Sequence, residues 1–474
     1  MKFYHVKSAI YSGAFLAFVF LLSGCENPAV TNANVSPNTN ASIVTNTNVA
    51  NTAPVNNKTA AALPVTLPVM DAMLFDESFT AELKTKLQLN DEQIEKLKTV
   101  SREAVRNLGE TEDDNYAGST RAATKRAEDQ ILAILGDDKT NQLFELVRNR
   151  WSSGETEMTS AAKPNAIPTD TRIVVNAPAY RMDAFQDGKL VKTYKIGIGY
   201  PEFPLPSGMR KADTIIFNPT WTPPDEPWVK GNIKAGQKVE AGDKLNPLGP
   251  IKIPIGLPSL IHGGKNPARL GTFASHGCVG LTNAQVQDFS LVLSQISGTQ
   301  LTPEEIKNYE KQKTETKNFK LNAPIQIELR YETIVVEDGK LKIFRDVYEK
   351  GTNTVENLRG VLDAYGVSFD SLTEPERQKI TAALSDMNKD AQGNLIVENI
   401  GNSANTSEGN MNSMNRNSNS ANKNQNSNSQ AKNSNSGDGS VTRTIKGKKE
   451  VIIELAQLKG KGYPAAVALN SGGK

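Results

Sequence analysis

Two cysteines and three histidines are the whole complement of thiols and imidazoles in a chain of 474 residues, and three of the five stand close together. Cys278 and His276 lie in "GTFASHGCVGLTN" (residues 271–283), and His262 precedes the cysteine by sixteen positions. A thiol carries out acyl transfer when a base takes its proton and backbone donors meet the developing oxyanion. A neighbouring imidazole also lowers the thiol pKa by pairing thiolate with imidazolium. Two candidate bases follow, His276 and His262. In a regular strand His276 and Cys278 would face the same way, whereas His262 would reach the sulfur through the Gly-rich loop "GGKNPARLGTFA". Gly277 lets backbone approach a substrate closely, and the N–H groups near Cys278 are natural oxyanion donors. The competing readings are an inert buried thiol and a Cys-His-His zinc site completed by a carboxylate or water. Acyl transfer needs neither metal nor cofactor.

The remaining pair, His5 and Cys25, falls in an N-terminal stretch that does not read as part of a fold. Lys2 and Lys7 precede the apolar run "AIYSGAFLAFVFLLSG", which stops at Cys25, the layout of an export signal. The ending "LLSGC" resembles the bacterial lipobox, which implies cleavage before Cys25, lipidation of its thiol and attachment to a membrane. Glu26 follows in place of an Asp retention signal, so the expected location is the envelope, facing the periplasm, with the outer membrane favoured where there are two. Cys278 is then the one free thiol of the mature chain. The near balance of 54 basic and 52 acidic residues implies no basic face and no nucleic-acid partner.

The elements that must position these groups can be placed along the chain. Residues 26–69 are rich in Asn, Thr, Ala and Val and read as a disordered tether, and 401–440 as an Asn/Ser-rich linker. Between them, 70–155 has helical periodicity. Asn90 and Gln93 suggest a capping box ahead of Ile94, Leu97, Val100 and Ala104. The segment "LQLNDEQIEKL" faintly resembles the Spy and CpxP type of periplasmic helical protein. From about Thr171 the pattern becomes β, with hairpin signals at Asp187-Gly188 and Asp338-Gly339 and short segments punctuated by Pro and Gly. The expected fold is therefore multidomain: a small α-helical domain, then a mainly β domain of sandwich or barrel type over 170–350. A helical extension over 351–400, with a helix start at Thr373 and Glu376, and a hairpin around Lys446–Lys449 within 441–474 complete the chain.

His262 followed by "SHGCVGLTN" resembles the active-site signature of the L,D-transpeptidase family, or YkuD domain. "IVVNAPAYRMDAFQDGKLVKTY", "GYPEFPLPSG", "NPTWTPP", "NPLG" and "APIQIELRYETIVVEDGKLKIFRDVY" resemble its other segments in order. The resemblance implies that Cys278 is the nucleophile and His262 the general base, that the Gly263 carbonyl orients the imidazole, and that Ser275, His276, Gly277 and Asn283 shape the site. It implies a reaction on peptidoglycan stem peptides: release of D-alanine from a tetrapeptide, then transfer of the thioester to a second stem as a 3-3 cross-link. Water or a lysine of an envelope lipoprotein are the alternative acceptors, and a non-catalytic wall-binding tether is the alternative function. One position departs from the family pattern, Gly280, where Arg or Asn is usual. Trp221 and Trp228 read equally as cleft lining or as core.

Overall fold

The computed structural model describes residues 65–106, 119–151, 163–222, 237–256, 258–396 and 445–467. The export signal with Cys25, most of the tether, the Asn/Ser-rich linker and Trp228 lie outside these residues.

Five helices come first: α1 (Leu67–Leu74), α2 (Glu77–Lys86), α3 (Asp91–Arg106), α4 (Thr120–Leu135) and α5 (Asp137–Trp151). Their starts are written locally. The Asp76 side chain accepts from the Ser78 N–H at the start of α2. Asn90 and Gln93 exchange side-chain and backbone hydrogen bonds at 2.8 and 3.2 Å, closing the capping box at the start of α3. Apolar residues at helical spacing then meet in one core, with Phe79, Leu83, Leu97, Ile131 and Val147 fully buried. The tether expectation runs to Val69, but α1 starts at Leu67, and Val65 and Thr66 are already buried. The cause is the apolar run Val65, Leu67, Val69, Met70, which gains more by packing on the bundle than it loses in chain entropy.

The β region begins with β1 (Arg172–Asn176), β2 (Arg181–Gln186), β3 (Lys189–Lys195), β4 (Ile198–Gly199) and β5 (Gly208–Phe217). It continues with β6 (Ile251–Pro254), β7 (Leu260–His262), β8 (Phe273–Ser275) and β9 (Val279–Gly280). Then come α6 (Asn283–Ile296), α7 (Pro303–Lys311) and β10 (Lys317–Arg330). Eight strands form one mixed sheet in the order β3-β2-β1-β10-β5-β6-β7-β9, with β4 and β8 pairing beside it. The sheet curls into a half-barrel, so a helical region followed by a mainly β domain is the architecture observed. Helix α6, entered through a Thr282–Gln285 capping box, lays Val286, Phe289 and Leu293 onto the core with Ile173, Val175 and Ile327. Asp187 and Gly188 both have positive φ, as a two-residue hairpin turn of the Asp-Gly kind demands.

The expected β domain runs to residue 350, and the expected C-terminal element is a hairpin of its own. Instead β11 (Ile334–Glu337), β12 (Lys340–Phe344) and β13 (Glu450–Glu454) make a separate three-stranded sheet, with Leu341 opposite Ile453. Helices α8 (Val355–Ala364) and α9 (Glu374–Met387) cover it through Leu358, Leu362, Ile380 and Leu384. The apolar side of a two-stranded hairpin is too small to be stable alone. A third strand from the distant C-terminal segment completes it.

Candidate active site

His262 ends β7, and β7 lies between β6 (antiparallel) and β9 (parallel), with His262 opposite Gly280. The ring is buried, 3 % exposed, and its Nδ1 lies 2.7 Å from the Gly263 carbonyl oxygen. A carbonyl only accepts, so Nδ1 carries the hydrogen and Nε2 is left as the basic nitrogen. The carbonyl is itself held in place. The Gly264 N–H donates to Asn283 Oδ1 at 2.7 Å, and the Lys265 N–H donates to the Leu281 carbonyl at 3.0 Å. Asn283 thus braces the turn after the histidine from the first position of α6.

Cys278 is half-buried and stands just before β9. The strand continuity that would set His276 and Cys278 on one face does not exist. β8 stops at Ser275, Gly277 takes φ +87°, and the strand resumes only at Val279. That left-handed backbone is open to glycine at little cost. The His276 ring instead packs edge-on against Tyr200 and Phe203, with centroids 5.0 and 4.8 Å away.

Ser275 closes the turn before Cys278 from both sides: its hydroxyl donates to the Cys278 carbonyl at 2.5 Å and accepts the Cys278 N–H at 3.1 Å. Of the N–H groups near the thiol that the sequence offers as oxyanion donors, that of Cys278 thus already has Ser275 as its acceptor. The N–H of Gly277 makes no hydrogen bond among the described residues. Replacing Ser275 by Ala strips a buried residue of both bonds, and the domain should lose about 1–3 kcal/mol of stability, read as a lower urea midpoint.

His262, Ser275, His276, Gly277 and Cys278 all line one cavity of about 220 Å³. Lys265, Phe203, Trp221, Leu248 and Leu260 share its wall. Two further lining residues, Val69 and Ala72, come from α1, an element with no chemical signature in the sequence. The helical region grips the loop that carries Phe203: Thr66 Oγ1 donates to the Glu202 carbonyl at 2.5 Å and Thr120 Oγ1 to that of Pro201 at 2.7 Å.

Burial sets the charge state of the pair. It pushes the His262 pKa down to about 3, with help from the Lys265 charge and against the pull of the Gly263 and Leu248 carbonyls. Burial also pushes the Cys278 thiol above its ordinary value, with a backbone hydrogen bond from Leu260 and the charge of Lys265 opposing. The resting site is thus a neutral thiol and a neutral imidazole, not the ion pair that proximity alone suggests.

The missing side chain at Gly280 has a spatial counterpart. A Cβ built on Gly280 would stand 2.8 Å from Lys265 Cγ and 2.9 Å from its Cε. The lysine stem runs across the glycine. Nothing in the spacing of Lys265, three residues past His262, identifies it from sequence.

Compared with known families, residues 170–295 match YkuD, the L,D-transpeptidase catalytic domain. Comparison with curated proteins gives no match. Among solved structures, an avibactam carbamoyl form of the L,D-transpeptidase Ldtfm is 18 % identical, over 34 % of this chain and 49 % of that one, with a TM-score of 0.20. The NMR structure of the catalytic domain of the Enterococcus faecium L,D-transpeptidase is 17 % identical, over 35 % of this chain and 100 % of that one, with a TM-score of 0.20. An L,D-transpeptidase of Mycobacterium smegmatis is 16 % identical, over 34 % and 58 %, again with a TM-score of 0.20. The chain spans about half the length of the first of these.

Proposed function

We propose that the segment matching the L,D-transpeptidase catalytic domain, residues 170–295, transfers the acyl group of a peptidoglycan tetrapeptide stem through a thioester on Cys278. The observation that carries this reading is the fixed imidazole: His262 Nδ1 is held by the Gly263 carbonyl at 2.7 Å, which leaves the lone pair on Nε2, and His262 and Cys278 line one cavity. His276, packed between two aromatic rings, serves as wall.

The steps balance without a cofactor. The Cys278 sulfur attacks the carbonyl carbon of the L-to-D bond while His262 Nε2 takes the thiol proton. The oxyanion is met by backbone N–H groups of the 276–278 turn other than that of Cys278. The C–N bond then breaks, the imidazolium proton goes to the departing D-alanine amine, and a thioester remains. An amine of a second stem attacks the thioester carbonyl carbon and gives a proton to His262; the C–S bond then breaks and that proton passes from His262 to the sulfur, restoring the thiol. The chain is further proposed to act from the envelope, anchored through a lipid on Cys25 and facing the periplasm.

The test is to incubate protein lacking the signal segment with disaccharide-tetrapeptides and weigh the products. A dimer that has lost D-alanine is the expected result. Tripeptide alone would make water the acceptor, transfer only to an envelope lipoprotein would make a protein lysine the acceptor, and unchanged substrate with all acceptors would sink the enzymatic reading.

A further inference from the structure

The cleft around Cys278 is lined mostly by apolar and aromatic side chains, yet the proposed donor carries carboxylates. Among its described lining residues, Lys265 is the one with a permanent charge. Its backbone is pinned to Leu281, and its stem lies over Gly280, the residue opposite His262 across the parallel strand pair. Gly280 has ordinary strand backbone, so no conformational demand requires glycine there. The small residue leaves space for the lysine stem where it lies, since a Cβ would stand within 3 Å of two of its carbons and the stem would have to shift. Lys265 lines the same cavity as His262 and Cys278.

We propose that Lys265 is the substrate-reading cation of this site: its ammonium binds a carboxylate of the donor stem beside Cys278, and Gly280 is the spacer that lets it lie there. The assignment rests on the acyl-transfer reading for the identity of the donor. Where the third stem residue is diaminopimelate, three groups of the donor have this chemistry: the carboxylates of the terminal D-alanine and of the diaminopimelate side chain, and the α-carboxylate of the γ-linked D-glutamate. An ammonium in a largely apolar cleft gains from any of them through a charge-assisted hydrogen bond. An arginine or asparagine at position 280 would compete with the lysine for the same volume.

Binding, measured apart from turnover, tests the proposal. Titrate the full mature chain carrying Cys278→Ala with disaccharide-tetrapeptide and with its three monoamides, one at each carboxylate. Repeat with Lys265→Met added, which keeps the stem volume and removes the charge. The expected result is a 10- to 100-fold weaker Kd for the free-carboxylate donor on Lys265→Met. For one monoamide the two proteins should bind alike, and that amide identifies the carboxylate read. Lys265→Arg should restore binding to within a few-fold. Lys265→Ala with Gly280→Arg should bind better than Lys265→Ala alone, because the cation returns from the opposite side of the same space. Equal Kd values with and without the Lys265→Met substitution, or an equal loss with all four donors, would overturn the assignment. Failure of the acyl-transfer reading gives a different pattern: donor binds in a Lys265-dependent way, but protein with Cys278 intact makes no product.

Discussion

Cys278→Ala should lower stem transfer by at least about 10³-fold and leave the fold in place. The side chain is half-buried, it takes no part in the hydrogen bonds that close its own turn, and Ser275 bonds only to its backbone. Removing the sulfur therefore removes the proposed nucleophile, at a cost of about 1–3 kcal/mol for the Leu260 N–H that loses its acceptor. Product formation under single-turnover conditions and the thermal midpoint together separate the two effects. The same variant should lose acylation by a carbapenem, which the wild-type thiol is expected to accept as a stable adduct. An adduct of unchanged yield on Cys278→Ala would place the nucleophile elsewhere.

His262→Gln should lower turnover by about 10²–10⁴-fold. Glutamine can still donate to the Gly263 carbonyl, so the turn braced by Asn283 survives and the loss reports the base itself. The pH dependence sharpens this. Because burial holds the His262 pKa at about 3, the wild-type rate should keep its full base form well below pH 6, with no acid limb near the ordinary histidine value. The thiol, raised by burial, should alkylate with iodoacetamide at a rate still rising above pH 9. The linkage to stability has a definite sign. The folded pKa lies below the unfolded one, so the unfolded chain binds the proton first as pH falls. The neutral histidine's contribution is complete above about pH 6.5 and is lost progressively toward pH 3, by roughly 2 kcal/mol between pH 6.5 and 4.5. His262→Gln should flatten that part of the stability curve.

The features legible in the sequence are those carried by short-range chemistry. Asn90 with Gln93 and Thr373 with Glu376 each close a capping box across three residues. Asp187-Gly188 and Asp338-Gly339 turn with positive φ at both positions. The clustering of His262, His276 and Cys278 is legible through scarcity alone. What escapes is set by distant parts of the chain. The third strand of the small sheet comes from Glu450–Glu454, more than a hundred residues after its partner β12. Val69 and Ala72 reach the cleft only because the bundle docks on the loop at Pro201 and Glu202. Lys265 acquires meaning only when β7 and β9 pair and its stem crosses Gly280. The direction of the Cys278 and His262 pKa values escapes too, since proximity is visible in the sequence and burial is not.

The covalent thioester is the central species of the proposed reaction, and intact-protein mass spectrometry observes it directly. Mature protein is mixed with a disaccharide-tetrapeptide, quenched in acid within seconds, and mapped by peptide. The expected result is a mass increase equal to the donor less D-alanine, on the peptide carrying Cys278 and removable by hydroxylamine. Product formed with no such adduct at any quench time, or an adduct carried by another residue, would contradict it.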